Sequence, residues 1–154
     1  MAKRYLIIQT AFIGDVILAT PVIETLKKSD SKILIDVLVK KENKSVLTGN
    51  GNINELFTLD KSKKIQSIIR LVRKFRKNKY EVIINLHRFA SSGLICVLSG
   101  AQETRGFDKN PFSMFYTKKF NHQIENGIHE VDRNLKLTDG LVTNLVRRPH
   151  LEIS

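Results

Sequence analysis

The chain has 154 residues, 42% hydrophobic and 27% charged, which is ordinary for one globular domain with its own core and excludes a disordered or low-complexity chain. No apolar run approaches the ~20 residues of a membrane-spanning helix, and the opening MAKRYLIIQ passes from a basic start straight into a strand without a secretory signal region, so the expected compartment is the cytoplasm. A net charge of +11 suggests an anionic partner, but residues 61–79 hold nine Lys or Arg and no acid, which leaves only +2 on the rest of a nearly neutral domain.

Residues 4–28, RYLIIQTAFIGDVILATPVIETLKK, read as a strand, a tight polar loop holding Gly14 and Asp15, and a helix. A second buried strand is predicted over 33–39, apolar except for Asp36, followed by a short helix within 40–48 and the breaker GNGN at 49–52. A short third strand follows at 55–59. The basic segment after it reads as a helix with Ile65, Ile68, Ile69, Val72 and Phe75 on a buried stripe and Arg70, Arg73, Lys74 and Lys77 on the opposite face, ending at Asn78.

Residues 80–86 (YEVIINL) form the clearest strand after the first, with the polar HRFASSG following it. A helix is expected over 89–98, closed by Gly100 and containing the single cysteine, Cys96, as a buried thiol that has no disulfide partner. A short strand at 103–107 leads into a long loop over 108–126, and periodicity returns as a helix over 128–142 despite Gly140. Strands alternating with helices imply an α/β fold: about five parallel strands in a Rossmann-like sheet with helices on both faces.

Ligands of open α/β sheets sit at the carboxyl ends of the strands, which directs attention to Asp15. It has two readings: a helix N-cap, or a general base that takes a proton from an acceptor hydroxyl. Gly14 suits both, as a turn without a side chain that backbone or ligand can approach closely. The loop QTAFIGD contains neither G-x-G-x-x-G nor GK[ST], which disfavours nucleotide binding there, and Asp15 and Asp36 lie by different strands, unlike the acidic pair of a receiver domain. His87 and Arg88 directly follow a strand, either as ordinary loop polarity or facing the same crevice as Asp15. His87, His122, His129 and His150 are too scattered for a metal site, and no metal is expected. The basic helix face reads as a solvated surface, a nucleic-acid contact or a contact to anionic lipid; without interleaved aromatics for base stacking, membrane or anionic glycolipid is favoured and nucleic acid is not expected.

Three separated stretches together resemble glycosyltransferase family 9, the heptosyltransferases of the lipopolysaccharide inner core. LIIQTAFIGDVILATPVIETLK resembles the family's N-terminus, YEVIINLHRFASSGLICVLSGAQETRGFD its fourth-strand region, and IHEVDRNLKL its H-x-V-E-R helix. The resemblance implies half of a GT-B fold, with residues 1–146 as the acceptor-binding Rossmann-like domain, 147–154 as the start of the interdomain linker, and a donor-binding domain beyond this chain. It further implies inverting transfer, without metal or cofactor, from ADP-heptose as donor substrate to a lipid-A-linked sugar at the cytoplasmic face of the inner membrane.

Asp15 matches the family's presumed base. Thr10 and Gly14 match its acceptor-side loop, and with His87, Arg88 and Arg105 they make the expected acceptor-binding set, while His129, Glu130 and Arg133 match motif positions without an assigned role. Two positions depart from the pattern: Gln9 stands where many relatives have Lys or Arg, and Phe12 where the loop is often small. A chain ending before a donor domain is expected to be truncated and inactive alone. The alternative is a non-catalytic module that binds anionic membrane or glycolipid through Arg70, Arg73, Lys74 and Lys77.

Overall fold

A computed structural model describes residues 3–121, 129–142 and 145–146. The expected linker at 147–154, His122, His150 and the predicted helix start at 128 lie outside the described residues. Six strands, β1 (Arg4–Gln9), β2 (Leu34–Lys40), β3 (Glu55–Leu59), β4 (Val82–Asn85), β5 (Glu103–Phe107) and β6 (Lys118–Phe120), form one sheet in the order β3-β2-β1-β4-β5-β6. Every neighbouring pair is parallel. The helices are α1 (Ile13–Ser29), α2 (Lys44–Leu47), α3 (Lys64–Asn78), α4 (Ala90–Leu98) and α5 (Glu130–Leu135).

The central strands are apolar on both faces because both are covered. Along β1, Tyr5 and Ile7 join Val16, Val22, Ile23 and Leu26 of α1, with Leu135 of α5 in the same cluster. Leu6 and Ile8 point the other way, onto Leu71 and Phe75 of α3 and Ile95 and Cys96 of α4. From β1 the chain winds outward to β3, then returns through α3 to place β4 on the other side of β1. The loops leaving β1 and β4 therefore diverge, and the crevice between them is where this topology places a ligand.

Four expectations change. The sheet has six strands, because part of the predicted long loop is β6, whose register to β5 is held by Thr104 and Thr117 exchanging backbone-to-hydroxyl bonds at 3.0 Å. Its exposed Lys118 and Lys119 suit an edge strand. The last helix is short: after Leu135 the chain tightens into a 3-10 turn, Lys136–Thr138, and Gly140 adopts a left-handed φ of +81°.

The third change concerns α3, which is rotated from the predicted stripe. Its buried residues are Ser67, Leu71 and Phe75, with Phe75 packed edge-on against both Phe57 and Tyr80. Ile65 and Ile69 face outward instead, 75% and 48% exposed. Fourth, Asp15 is not the N-cap. The extended residue that starts α1 is Phe12, and Asp15 sits at the third helical position, reaching back to accept the Phe12 N–H at 3.1 Å.

Candidate active site

The β1–α1 loop is drawn tight by its own side chains. Gln9 Oε1 accepts the Ala11 N–H at 3.1 Å, and Asn43 Nδ2 donates to the Ala11 carbonyl at 3.0 Å. With the backbone so fixed, Asp15 uses one oxygen to close the first turn of α1, and its other oxygen has no partner among the described residues. The helix N-terminus favours negative charge at this point.

The β4–α4 loop is braced more heavily. Asn85 Oδ1 accepts the His87 N–H at 3.0 Å, while its amide nitrogen donates to Ser92 Oγ and Tyr116 Oη. Asn110, buried and arriving from beyond β5, donates to the carbonyls of His87 (3.1 Å) and Phe89 (2.9 Å). Gly93 makes that approach possible: a Cβ there would lie 2.0 Å from Asn110 Oδ1. A loop with this many buried hydrogen bonds holds its side chains in place before any ligand arrives.

The two loops meet through Thr10 and His87, whose Oγ1 and Nδ1 are 2.7 Å apart and buried. Burial first, then the nearby positive charges of Lys61, Arg88 and Lys40, push the His87 pKa down to about 4, so the ring is neutral near pH 7. Thr10 Oγ1 and His87 Nδ1 share this hydrogen bond, whose direction follows the tautomer of the ring. His87 Nε2 is itself buried and has no hydrogen-bond partner among the described residues. Phe89 packs edge-on against the imidazole, and Arg88 lies over the Phe89 ring.

Since the unfolded chain binds the His87 proton near the ordinary value of 6.5 and the folded chain only near 4, the unfolded state holds more protons between these values. This part of the stability is complete above pH 6.5 and is lost as pH falls toward 4. Urea unfolding at pH 7 and 4.5 is expected to show roughly 2–3 kcal/mol more acid destabilisation in the native protein than in His87→Gln. Equal losses in the two proteins would mean that His87 is not held neutral by the fold.

Gln9, Ala11, Phe12, Asp15, Leu86, His87, Arg88, Phe89, Glu130 and Arg133 line a cavity of about 220 Å³ at the β1/β4 switch point. The structure thus brings Asp15, His87 and Arg88 together, with Thr10 behind His87. Glu130 and Arg133 join them on α5 as an ion pair, with His129 as the exposed residue starting that helix. Gln9 reaches the cavity as well, its amide nitrogen without a partner among the described residues. Two contributors escaped the sequence reading, Phe89 and the bracing Asn110; an asparagine in an irregular segment gives no local sign of a partner some twenty residues away.

Arg105 is not in this group. Its guanidinium is buried against Glu103 at 2.5 Å and donates to the carbonyls of Leu137 (3.1 Å) and Asp139 (2.6 Å), tying β5 to the turn after α5. Gly14 has no positive φ, and an added Cβ would meet nothing within 4 Å, so the fold itself does not require glycine there. A larger hollow of about 590 Å³, lined by Phe120, Leu135 and Val142 among others, includes none of the residues of the β1 and β4 loops. Among the described residues no group of three His, Cys, Asp or Glu is placed to hold a metal ion, and no helix is long and apolar enough to cross a membrane.

The sequence and the fold both find relatives. The chain is 32% identical over 145 residues to lipopolysaccharide heptosyltransferase 3 of Escherichia coli, covering 89% of this chain and 43% of that protein. It superposes on the glycosyl transferase family 9 structure from Veillonella parvula with a TM-score of 0.89 at 27% identity, over 99% of this chain and 45% of that one. The E. coli ADP-heptose lipopolysaccharide heptosyltransferase II structure shares the fold, with a TM-score of 0.81 at 19% identity over 98% of this chain and 47% of the other. The chain thus spans less than half the length of these relatives. Residues 68–149, more than half of the chain, match the family model described as glycosyltransferase family 9 (heptosyltransferase). On that match the chain belongs to glycosyltransferase family 9.

Proposed function

We propose that this domain is the acceptor-binding, base-carrying half of an inverting transferase that moves heptose from ADP-heptose to a lipid-A-linked core sugar. The observation that carries the proposal is the Asp15 carboxylate, held at the start of α1 by one oxygen, with the other unpartnered among the described residues, on the wall of the switch-point cavity. A sugar hydroxyl is a weak nucleophile. As its oxygen bonds to the anomeric carbon, its proton passes to Asp15, and the bond from that carbon to the departing ADP breaks. The Gln9 amide supplies a neutral donor for acceptor hydroxyls, His87 forms part of the cavity lining, and Arg88 supplies positive charge at the cavity wall.

On this reading residues 1–146 form the acceptor domain and 147–154 begin the passage to a donor-binding domain, as the partial coverage of the relatives supports. The domain alone would then bind acceptor without transferring sugar. Titrating a core-oligosaccharide acceptor into isotope-labelled protein is expected to shift the amide resonances of residues 9–15, 87–89 and 130–133, whereas ADP-heptose leaves them unchanged. Acceptor-induced shifts confined to other residues would overturn the assignment.

Gly14 offers a second check. Because nothing in the fold occupies the space before it, Gly14→Ala is expected to stabilise the domain by about 0.5 kcal/mol through reduced backbone entropy. If the acceptor fills that space, the same variant raises the acceptor KM in the two-domain enzyme. A more stable variant with unchanged KM would remove Gly14 from the acceptor site.

A further inference from the structure

The outward rotation of Ile65 and Ile69 gives α3 a surface that a solvated helix does not need. Two large aliphatic side chains stand exposed one turn apart, and a shallow hollow beside them is lined by Gln66, Ile69, Arg70, Arg73, Lys74 and Lys77. Arg70 makes one long contact, to the Thr58 carbonyl at 3.3 Å. Among the described residues no carboxylate forms an ion pair with Arg73, Lys74 or Lys77. The buried side of the same helix is already satisfied by Leu71 and Phe75, so nothing in the domain's core calls for the two isoleucines outside.

We propose that the outer face of α3 docks on an anionic lipid bilayer, with Ile65 and Ile69 entering the headgroup layer and Arg70, Arg73, Lys74 and Lys77 facing the lipid phosphates. A bilayer interface accepts both halves of this surface, apolar tips and flanking cations. A nucleic-acid backbone would use the cations and leave the isoleucines unused, and the exposed face carries no aromatic ring for base stacking. The position is also suitable. The chain leaves the carboxyl end of β3 and enters α3 at its N-terminal end, so Ile65 and Ile69 lie toward the same edge of the sheet as the Asp15 cavity. The proposal does not depend on the role given to Asp15.

Co-sedimentation with vesicles of phosphatidylethanolamine and phosphatidylglycerol, free of glycolipid, tests this surface separately from any acceptor site. Binding is expected, weakening with added salt and absent on phosphatidylcholine vesicles. Each cation lost should weaken binding about fivefold at low salt, so Arg73→Gln with Lys74→Gln is expected to lower it roughly 25-fold. Ile65→Ser with Ile69→Ser should weaken binding at high as well as low salt, since apolar insertion is not screened. These four positions are solvent-facing, and an unchanged circular dichroism spectrum verifies folding of the variants. Equal binding to phosphatidylcholine, tighter binding to duplex DNA than to the anionic vesicles, or unaltered binding by the isoleucine variant would each overturn the proposal.

Discussion

Asp36→Ala is expected to destabilise the domain by about 3–5 kcal/mol, visible as a lower urea midpoint and a melting temperature reduced by roughly 10 °C. Asp36 lies in the middle of β2 with no solvent exposure. Its Oδ2 accepts the Tyr80 hydroxyl at 2.6 Å and Arg4 Nε at 2.8 Å, and its Oδ1 accepts Asn54 Nδ2 at 3.0 Å. Burial first, and then this hydrogen bond to Asp36, push the Tyr80 hydroxyl pKa far up, so it remains a donor throughout the working range. Removing the carboxylate takes the acceptor from the buried Tyr80 hydroxyl and from the Asn54 amide and leaves Arg4 only its 3.4 Å contact to Glu55, and the loss of these partners costs more than the hydrophobic gain of alanine returns. Tyr80→Phe, which removes one donor and leaves the ion pair, is expected to cost about 1–2 kcal/mol. A native-like midpoint for Asp36→Ala would show that the cluster contributes no net stability.

This cluster also marks where sequence reading stops. An aspartate inside an apolar strand is visible as an anomaly, but its partners stand 32 and 44 residues away and meet it only once β1, β2 and the end of α3 are assembled. The α/β class was legible because β1, β2 and β4 are covered on both faces and so appear as continuous apolar runs, a local signal. The strand β6 was not legible, being three residues long with two lysines. The rotation of α3 escaped for a related reason. Five apolar residues at helical spacing suggest one stripe, yet the register is set by Leu71 and Phe75 docking on Phe57, Leu38 and Tyr80, and that choice turns Ile65 and Ile69 outward.

At the candidate site the loop after β1 was legible, and so, as one of two readings, was a crevice shared with His87 and Arg88, whereas the contact that joins the two loops was not. Asp15 and Gly14 are close in sequence to the end of an obvious strand. The offset of Asp15 from N-cap to third helical position arises because Phe12, extended at φ −79° and ψ 168°, begins the helix three residues earlier. Thr10 and His87 are 77 residues apart, and only the passage of the chain across β1 to form β4 places them within a hydrogen bond. Arg105 shows the opposite limit: a motif position suggested ligand contact, and the fold uses it to hold the carbonyls after α5.

The most direct test of the account is the turnover of an Asp15→Asn enzyme in a transferase that joins this domain to a donor-binding domain. Asparagine keeps an oxygen able to accept the Phe12 N–H, so the first turn of α1 survives, whereas alanine would also remove that contact, at a cost of about 1 kcal/mol. What asparagine cannot do is take the acceptor proton. With the base removed and the scaffold kept, kcat is expected to fall by about 10²–10⁴-fold, while the dissociation constants of acceptor and ADP-heptose change little. A kcat near that of the unmodified enzyme would contradict the assignment of Asp15 as the base.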